Sequence, residues 1–328
     1  MKSFRTELAD WPSSTAFTHA DGVLCMGSCF AEHIGARLAE RKFSTLTNPS
    51  GIIYNPVSLA QTLQWIAEGR VFSEADVFEH EGQWNSFYHH SRLSALSREA
   101  LLEGINRQME AAGAFFRKRT TRILLTLGTA MVYEHKERGE VVANCHKLPS
   151  SAFTRRRLSV EEVTGPLSGF FRMLENNRPD TEVILTLSPV RHLREGMVEN
   201  QRSKAVLALA VAGLEEAFAR VHYFPAYELL LDDLRDYRFY AEDLVHPNAQ
   251  AIDYIWDFFS RTYFPKETQQ VVREVEEILS AARHRPFQPD SPAHQAFREK
   301  QLQKIGELEK RYPFLDFGEE RRAFGKGN

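Results

Sequence analysis

Apolar positions along this chain follow two rhythms. Val23, Leu24, Cys25 and Met26 form a near-continuous apolar run that stops at Gly27. Phe30, Ile34 and Leu38 then recur at helical spacing, with Glu32, Arg37 and Glu40 on the other side. The pattern predicts a strand, a tight turn and a helix over 29–42. Two more apolar runs of the first kind cover residues 123–130, ending in Gly128-Thr129, and 183–190, ending in Ser188-Pro189. Val221-His222-Tyr223-Phe224 predicts a further strand. Runs without alternation suit strands covered on both faces, as in a parallel sheet. Amphipathic patterns predict helices near 58–66 and over 98–118, 160–176 and 203–221, with residues 57–120 mainly helical. Strands alternating with helices predict a doubly wound α/β domain whose ligands sit beyond the carboxyl ends of its strands. The ends at Gly27, Gly128 and Ser188 then share one edge.

Beyond a predicted helix over 249–262 the pattern changes. Charged helical sequence over 267–284 and 293–311, interrupted by Pro286, Pro289 and Pro292, predicts a helical extension. The expected division is an α/β domain over 1–265 and an extension over 266–328 packed on it. Residues 1–20 read as an irregular lead-in.

Composition then narrows the picture. A chain of 328 residues can bury a large core. A formal net charge of -3 gives no electrostatic case for nucleic acid. The runs Arg117-Lys118-Arg119 and Arg155-Arg156-Arg157 read as solvated faces or helix ends. No run approaches the ~20 apolar residues of a membrane span, and residues 1–7 lack a secretory apolar segment. Cys25, Cys29 and Cys145 are an odd count without zinc-ligand spacing. A reduced, cytoplasmic protein is expected, with no nucleic-acid or membrane partner and no metal or cofactor; the oligomeric state stays open.

Candidate chemistry gathers at the predicted strand ends. Ser28 and Cys29 open a helix whose free N–H groups and dipole favour an anion. The plainer alternative is that Gly27 turns the chain, Ser28 caps the helix and Cys29 packs as a small apolar residue. The loop 48–56 presents the Gly51 N–H or the Asn55 amide to a site, or is an ordinary loop. The aromatic and imidazole-rich stretch 84–91 lines a pocket or packs as a partly buried loop. Asn144 and His146 lie in a polar run that reads equally as a hairpin end. Arg191 and His192 follow a strand end and could bind an anionic or hydroxyl-bearing substrate or cap the sheet edge. Asp243 and His246, on a turn constrained by Pro247, have the spacing that lets a carboxylate accept from one imidazole nitrogen and leaves the other free as a base.

The run Gly27-Ser28-Cys29-Phe30-Ala31, with the late Asp243-Leu244-Val245-His246-Pro247, resembles the GSCFA family, which is grouped with the SGNH or GDSL-type hydrolases. The resemblance extends from the opening strand to the helix 249–262. It implies a three-layer α/β/α fold with a parallel sheet of about five strands. It also implies acyl-ester chemistry, with a nucleophile after the first strand, an oxyanion hole and a late histidine–aspartate pair. Asp243 and His246 match that pair, and Gly51 matches the glycine of the second block. The hydrolase run is Gly-Asp-Ser-Leu; letter on letter Cys29 takes the serine's place, where a helix N-terminus favours a thiolate, and a one-residue shift gives Ser28 instead. The third-block asparagine has no counterpart at Gly128-Thr129, so Thr129, Asn55 or Asn144 would substitute as oxyanion donor. The expected function is a hydrolase or acyltransferase acting on a small-molecule or glycan ester such as an O-acetylated carbohydrate. The alternatives are a non-catalytic sugar-binding module that keeps the pocket, and an interaction protein that uses the C-terminal helices.

Overall fold

Alternation along the first strand sets the two faces of the sheet. In β1 (Gly22–Gly27), Val23 and Cys25 point into one layer and Leu24 and Met26 into the other, and every residue of the strand is buried. The structure, a computed structural model, describes residues 6–11, 13, 15–284, 287–288 and 291–325. The terminal reading of residues 1–5, Pro12 and Ser14 within the lead-in, and the breakers Pro286 and Pro289 lie outside them.

After β1 come α1 (Cys29–Glu40), β2 (Ser44–Thr47), α2 (Pro56–Glu68), α3 (Arg98–Lys118), β3 (Thr120–Leu127), α4 (Val160–Asn177), β4 (Glu182–Leu187), α5 (Gly196–Ala217), β5 (Val221–Phe224) and α6 (Ala249–Tyr263). The five strands are parallel, in the order β5-β4-β3-β1-β2. Helices α2 to α5 cover the face that carries Leu24, Met26, Ile123, Leu125 and Leu185. Helices α1 and α6 cover the face that carries Val23, Cys25, Leu124 and Ile184. This is the expected three-layer α/β/α architecture. From β2 the chain returns past β1 to β3, so the strand order reverses between β1 and β3. That reversal opens the crevice in which open α/β sheets take ligands.

Several elements escape the periodicity. β2 is an edge strand of sequence Ser-Thr-Leu-Thr, half-buried throughout. Helix α5 starts at Gly196, seven residues before its predicted start. A hairpin pairs residues 78–80 with 83–85 inside the stretch read as mainly helical. A three-stranded antiparallel sheet is built from residues 131–135, 140–142 and 153–157. Arg155, Arg156 and Arg157 therefore lie in a strand, not at a helix end; Arg156 pairs with Glu162 at 2.6 Å and Arg157 with Glu199 at 2.5 Å. Arg117 and Lys118 do end a helix, α3.

The C-terminal helices α7 (Lys266–Arg283), α8 (Pro292–Arg311) and α9 (Gly318–Gly325) gather around Val275, Ile278, Ile305, Leu308 and Phe317. Val272 of α7 packs into the core beneath α1 and α6. Arg41 donates to Glu276 at 2.7 Å and Lys42 to Glu320 at 2.9 Å, tying these helices to the end of α1. Among the described residues no helix is long and apolar enough to cross a membrane.

The turn from β1 into α1 demands glycine. Gly27 has φ +129°, and a Cβ there would lie 2.1 Å from the Thr126 carbonyl oxygen. Its N–H donates to Asn48 Oδ1 at 2.9 Å. Gly27→Ala is expected to lower unfolding stability by at least about 2 kcal/mol, from backbone strain and displacement of the β1–β3 ladder. A urea midpoint equal to that of the wild type would show that the turn relaxes without cost.

Candidate active site

The turn at the end of β1 separates the two nucleophile candidates. The Ser28 N–H donates to Thr126 O at 3.1 Å, and its Oγ accepts from the Phe30 N–H at 3.3 Å. Ser28 is fully buried and serves as the N-cap of α1. Cys29, the first residue of the helix, is partly exposed. Its sulfur is faced by its own N–H and that of Phe30. Burial, then Glu32, push its pKa up; the two N–H groups and Lys204 pull it down without prevailing. The helix N-terminus alone therefore does not supply the thiolate expected from the sequence. Desolvation outweighs the dipole.

Asp243 and His246 form a local pair on the turn before α6. His246 Nδ1 lies 2.6 Å from Asp243 Oδ2. Asp243 Oδ1 accepts from the backbone N–H of Val245 at 2.9 Å and of His246 at 3.0 Å. The His246 N–H, then its ring, then the Val245 N–H hold the Asp243 carboxyl at about 2, so it is anionic at any physiological pH. With Nδ1 on the carboxylate, Nε2 is the nitrogen left for chemistry. The turn is held at several points: Leu244 adopts φ +55°, Ala241 N–H donates to His246 O at 2.7 Å, and Arg191 N–H donates to Val245 O at 3.3 Å. The Arg191 guanidinium stacks 4.2 Å over the Tyr240 ring. Arg191 thus helps to anchor the histidine-bearing loop.

Three further groups share this end of the sheet. The charge of His246 acts on His33, one turn along α1 from Cys29, and on His192. His192 stands edge-on to Tyr54 with ring centroids 5.2 Å apart. Its Nε2 is buried without a hydrogen-bond partner among the described residues. Burial, then Lys204 and His246, push its pKa down to about 4, so the ring is neutral at pH 7. Lys204, from α5, is 1% exposed, and its Nζ donates to Gly128 O at 2.7 Å and Ser188 O at 2.6 Å.

The other polar candidates are committed elsewhere. The Gly51 N–H donates to Asn48 O at 2.8 Å. Its glycine is required by φ +80° and by His90 Cβ, 2.2 Å from where a Cβ would stand. Asn55 caps α2 by accepting from Ser58 N–H at 2.8 Å, and its amide donates to Ser58 Oγ and Val142 O. Thr129 Oγ1 lies 3.0 Å from Ser203 Oγ and accepts from the Met131 N–H. Asn144 Oδ1 accepts from the His146 N–H, and His146 Nε2 reaches Ser86 O at 2.7 Å, inside the buried loop 84–91. Gly51, Asn55, Thr129 and His146 are thereby engaged with groups of the scaffold, whereas Asn144 is engaged through its acceptor Oδ1. Among the described residues no group of three or more His, Cys, Asp or Glu side chains could hold a metal ion.

Two residues of the site were missed from sequence. Asn48, read only as a turn residue, holds the Gly27 N–H, while its own Nδ2 is buried without a partner among the described residues. Lys204 had a readable signal. It falls with Ser203, Leu207, Ala210, Val211 and Leu214 on the one buried stripe of α5, where a lysine is out of place.

Residues 22–259 match the model of the GSCFA family, and residues 275–327 match the model described as GSCFA domain protein, C-terminal domain. A search of curated proteins finds no match.

Proposed function

We propose an acyl-ester hydrolase or acyltransferase of SGNH type, starting from the fact that the chain belongs to the GSCFA family. The observation that carries the reading is the His246–Asp243 pair at 2.6 Å, at the sheet end from which α1 presents Cys29. In the proposed cycle His246 Nε2 takes the proton of the Cys29 thiol as sulfur attacks the ester carbonyl carbon. Asp243 keeps the proton on Nδ1 and balances the imidazolium. The tetrahedral intermediate collapses, its C–O bond breaks, and the leaving alkoxide takes the proton from His246. Water or an acceptor hydroxyl, deprotonated by His246, then attacks the thioester. The second collapse releases acid or new ester and returns the thiol. Ser28, sealed under the helix as its cap, supports Cys29 as the nucleophile.

For the oxyanion, the Cys29 N–H is one donor. His192 supplies the other, in the tautomer that carries its proton on Nε2: it is neutral, and its buried Nε2 is uncommitted, whereas the Asn55 amide donates to Ser58 and Val142 and the Thr129 hydroxyl is paired with Ser203. The substrate class, an O-acyl group on a small molecule or glycan, comes from the family resemblance. The raised pKa of Cys29 favours one rival, a sugar-binding module that retains the pocket. Hydrolysis of p-nitrophenyl acetate and longer acyl esters decides between them. The wild type is expected to turn over at least one, and His192→Ala to lower kcat by about 10²–10³ with a smaller change in KM. Saturable binding of an acylated sugar with no product from any ester would replace the enzyme with the module.

A further inference from the structure

Lys204 is the only lysine in the buried core of the described residues. Its ammonium bridges Gly128 O and Ser188 O, just past the carboxyl ends of β3 and β4. Both carbonyls lie on the edge from which the β1 turn presents Cys29. A buried charge normally finds an opposite charge. Among the described residues no carboxylate pairs with Lys204, and the charge that acts on it is that of Cys29 as a thiolate. We propose that Lys204 is a positioning residue for negative charge: its buried ammonium is the standing counter-ion of the Cys29 thiolate and of the oxyanion that follows it. The oxyanion half rests on the acyl-transfer reading; the thiolate half does not.

The groups that share this end of the site are Glu32 and His33 on α1, Tyr54 on the loop before α2, His192 and His246 on their loops, and Lys204 on α5. Glu32 opposes a thiolate but is itself paired with Arg92 at 2.5 Å, and His192 is neutral; Lys204, fixed on Gly128 O and Ser188 O, is the cation whose charge favours the Cys29 thiolate. It transfers no proton in the cycle; the thiol proton goes to His246. Burial lowers the Lys204 pKa to about 7 against the pull of the Cys29 charge, which acts to raise it and couples the two groups.

The test reads Cys29 itself in the full chain. Alkylation by iodoacetamide and by iodoacetate is followed by mass spectrometry of the Cys29 peptide from about pH 5 to about 10. In the wild type the rate ratio of the anionic to the neutral reagent should exceed that of free cysteine several-fold. Lys204→Gln keeps N–H donors for the two carbonyls but removes the charge. It should move the alkylation midpoint up by about one pH unit and slow the reaction at pH 7 about tenfold; Lys204→Arg should restore both. A Lys204→Gln protein with native circular dichroism and the wild-type midpoint would overturn the proposal. If that variant fails to fold, a wild-type ratio at or below that of free cysteine overturns it instead. No ester enters either readout. A shifted midpoint without any ester turnover would remove the enzyme and leave Lys204 its role; turnover with an unshifted midpoint would do the reverse.

Discussion

Cys29→Ala is expected to abolish ester turnover, with kcat/KM falling at least about 10³-fold and the fold unchanged. Removing a nucleophile costs almost the whole covalent route and leaves only what binding and the oxyanion donors supply. The position of the thiol is the reason: it heads α1, partly exposed, with two backbone N–H groups and an ammonium acting on it. Ser28→Ala should cost a cap, about 1 kcal/mol of stability, and leave most of the turnover. Iodoacetamide should label Cys29 first, in step with lost activity, because burial pushes Cys25 up to about 12 and Cys145 up to about 11. The opposite pattern, with Ser28→Ala inactive and Cys29→Ala tolerated, would move the nucleophile one residue back. Turnover unaffected by both would make the turn a structural element.

Asp243→Asn should lower kcat by about 10²–10⁴, because an amide at this place can donate to Nδ1 and hold the imidazole in the wrong tautomer. The carboxylate's support is pH-independent over the working range. Its pKa is depressed, so the ionised form is present above about 2 and is lost only as pH falls through that value. Any acid limb of wild-type turnover near neutrality therefore belongs to another group. A pH–rate profile of the variant checks this. Wild-type turnover with an unaltered profile would take Asp243 out of the chemistry.

The central strands were legible because burial on both faces writes an unbroken apolar run, as at 23–26, 123–127 and 183–187. Edge strand β2 was not: with one side open to solvent, Ser44, Thr45 and Thr47 carry no such signal. The strand 153–157 was hidden by its arginines, whose partners Glu162 and Glu199 are fixed by tertiary packing. In the site, Asp243 and His246 could be paired from spacing because their contact is local, three residues apart. The oxyanion donors could not. Whether Asn55 or Thr129 is available depends on bonds to Val142 and Ser203, 87 and 74 residues away, and no local pattern encodes such commitments.

Lys204 also bears on folding equilibrium. Its pKa drops from an ordinary 10.5 to about 7 in the native protein, so the unfolded chain holds that proton more firmly than the folded one. Below about pH 7 the native state carries the full penalty, on the order of several kcal/mol; it shrinks as pH rises toward about 10 and is absent above. At this residue the chain trades thermodynamic stability for a charged interior, and it is least stable in the acidic range where the ammonium is fully present. This cost traces to a single atom, Nζ, and a trade-off between stability and activity of that kind is common in proteins.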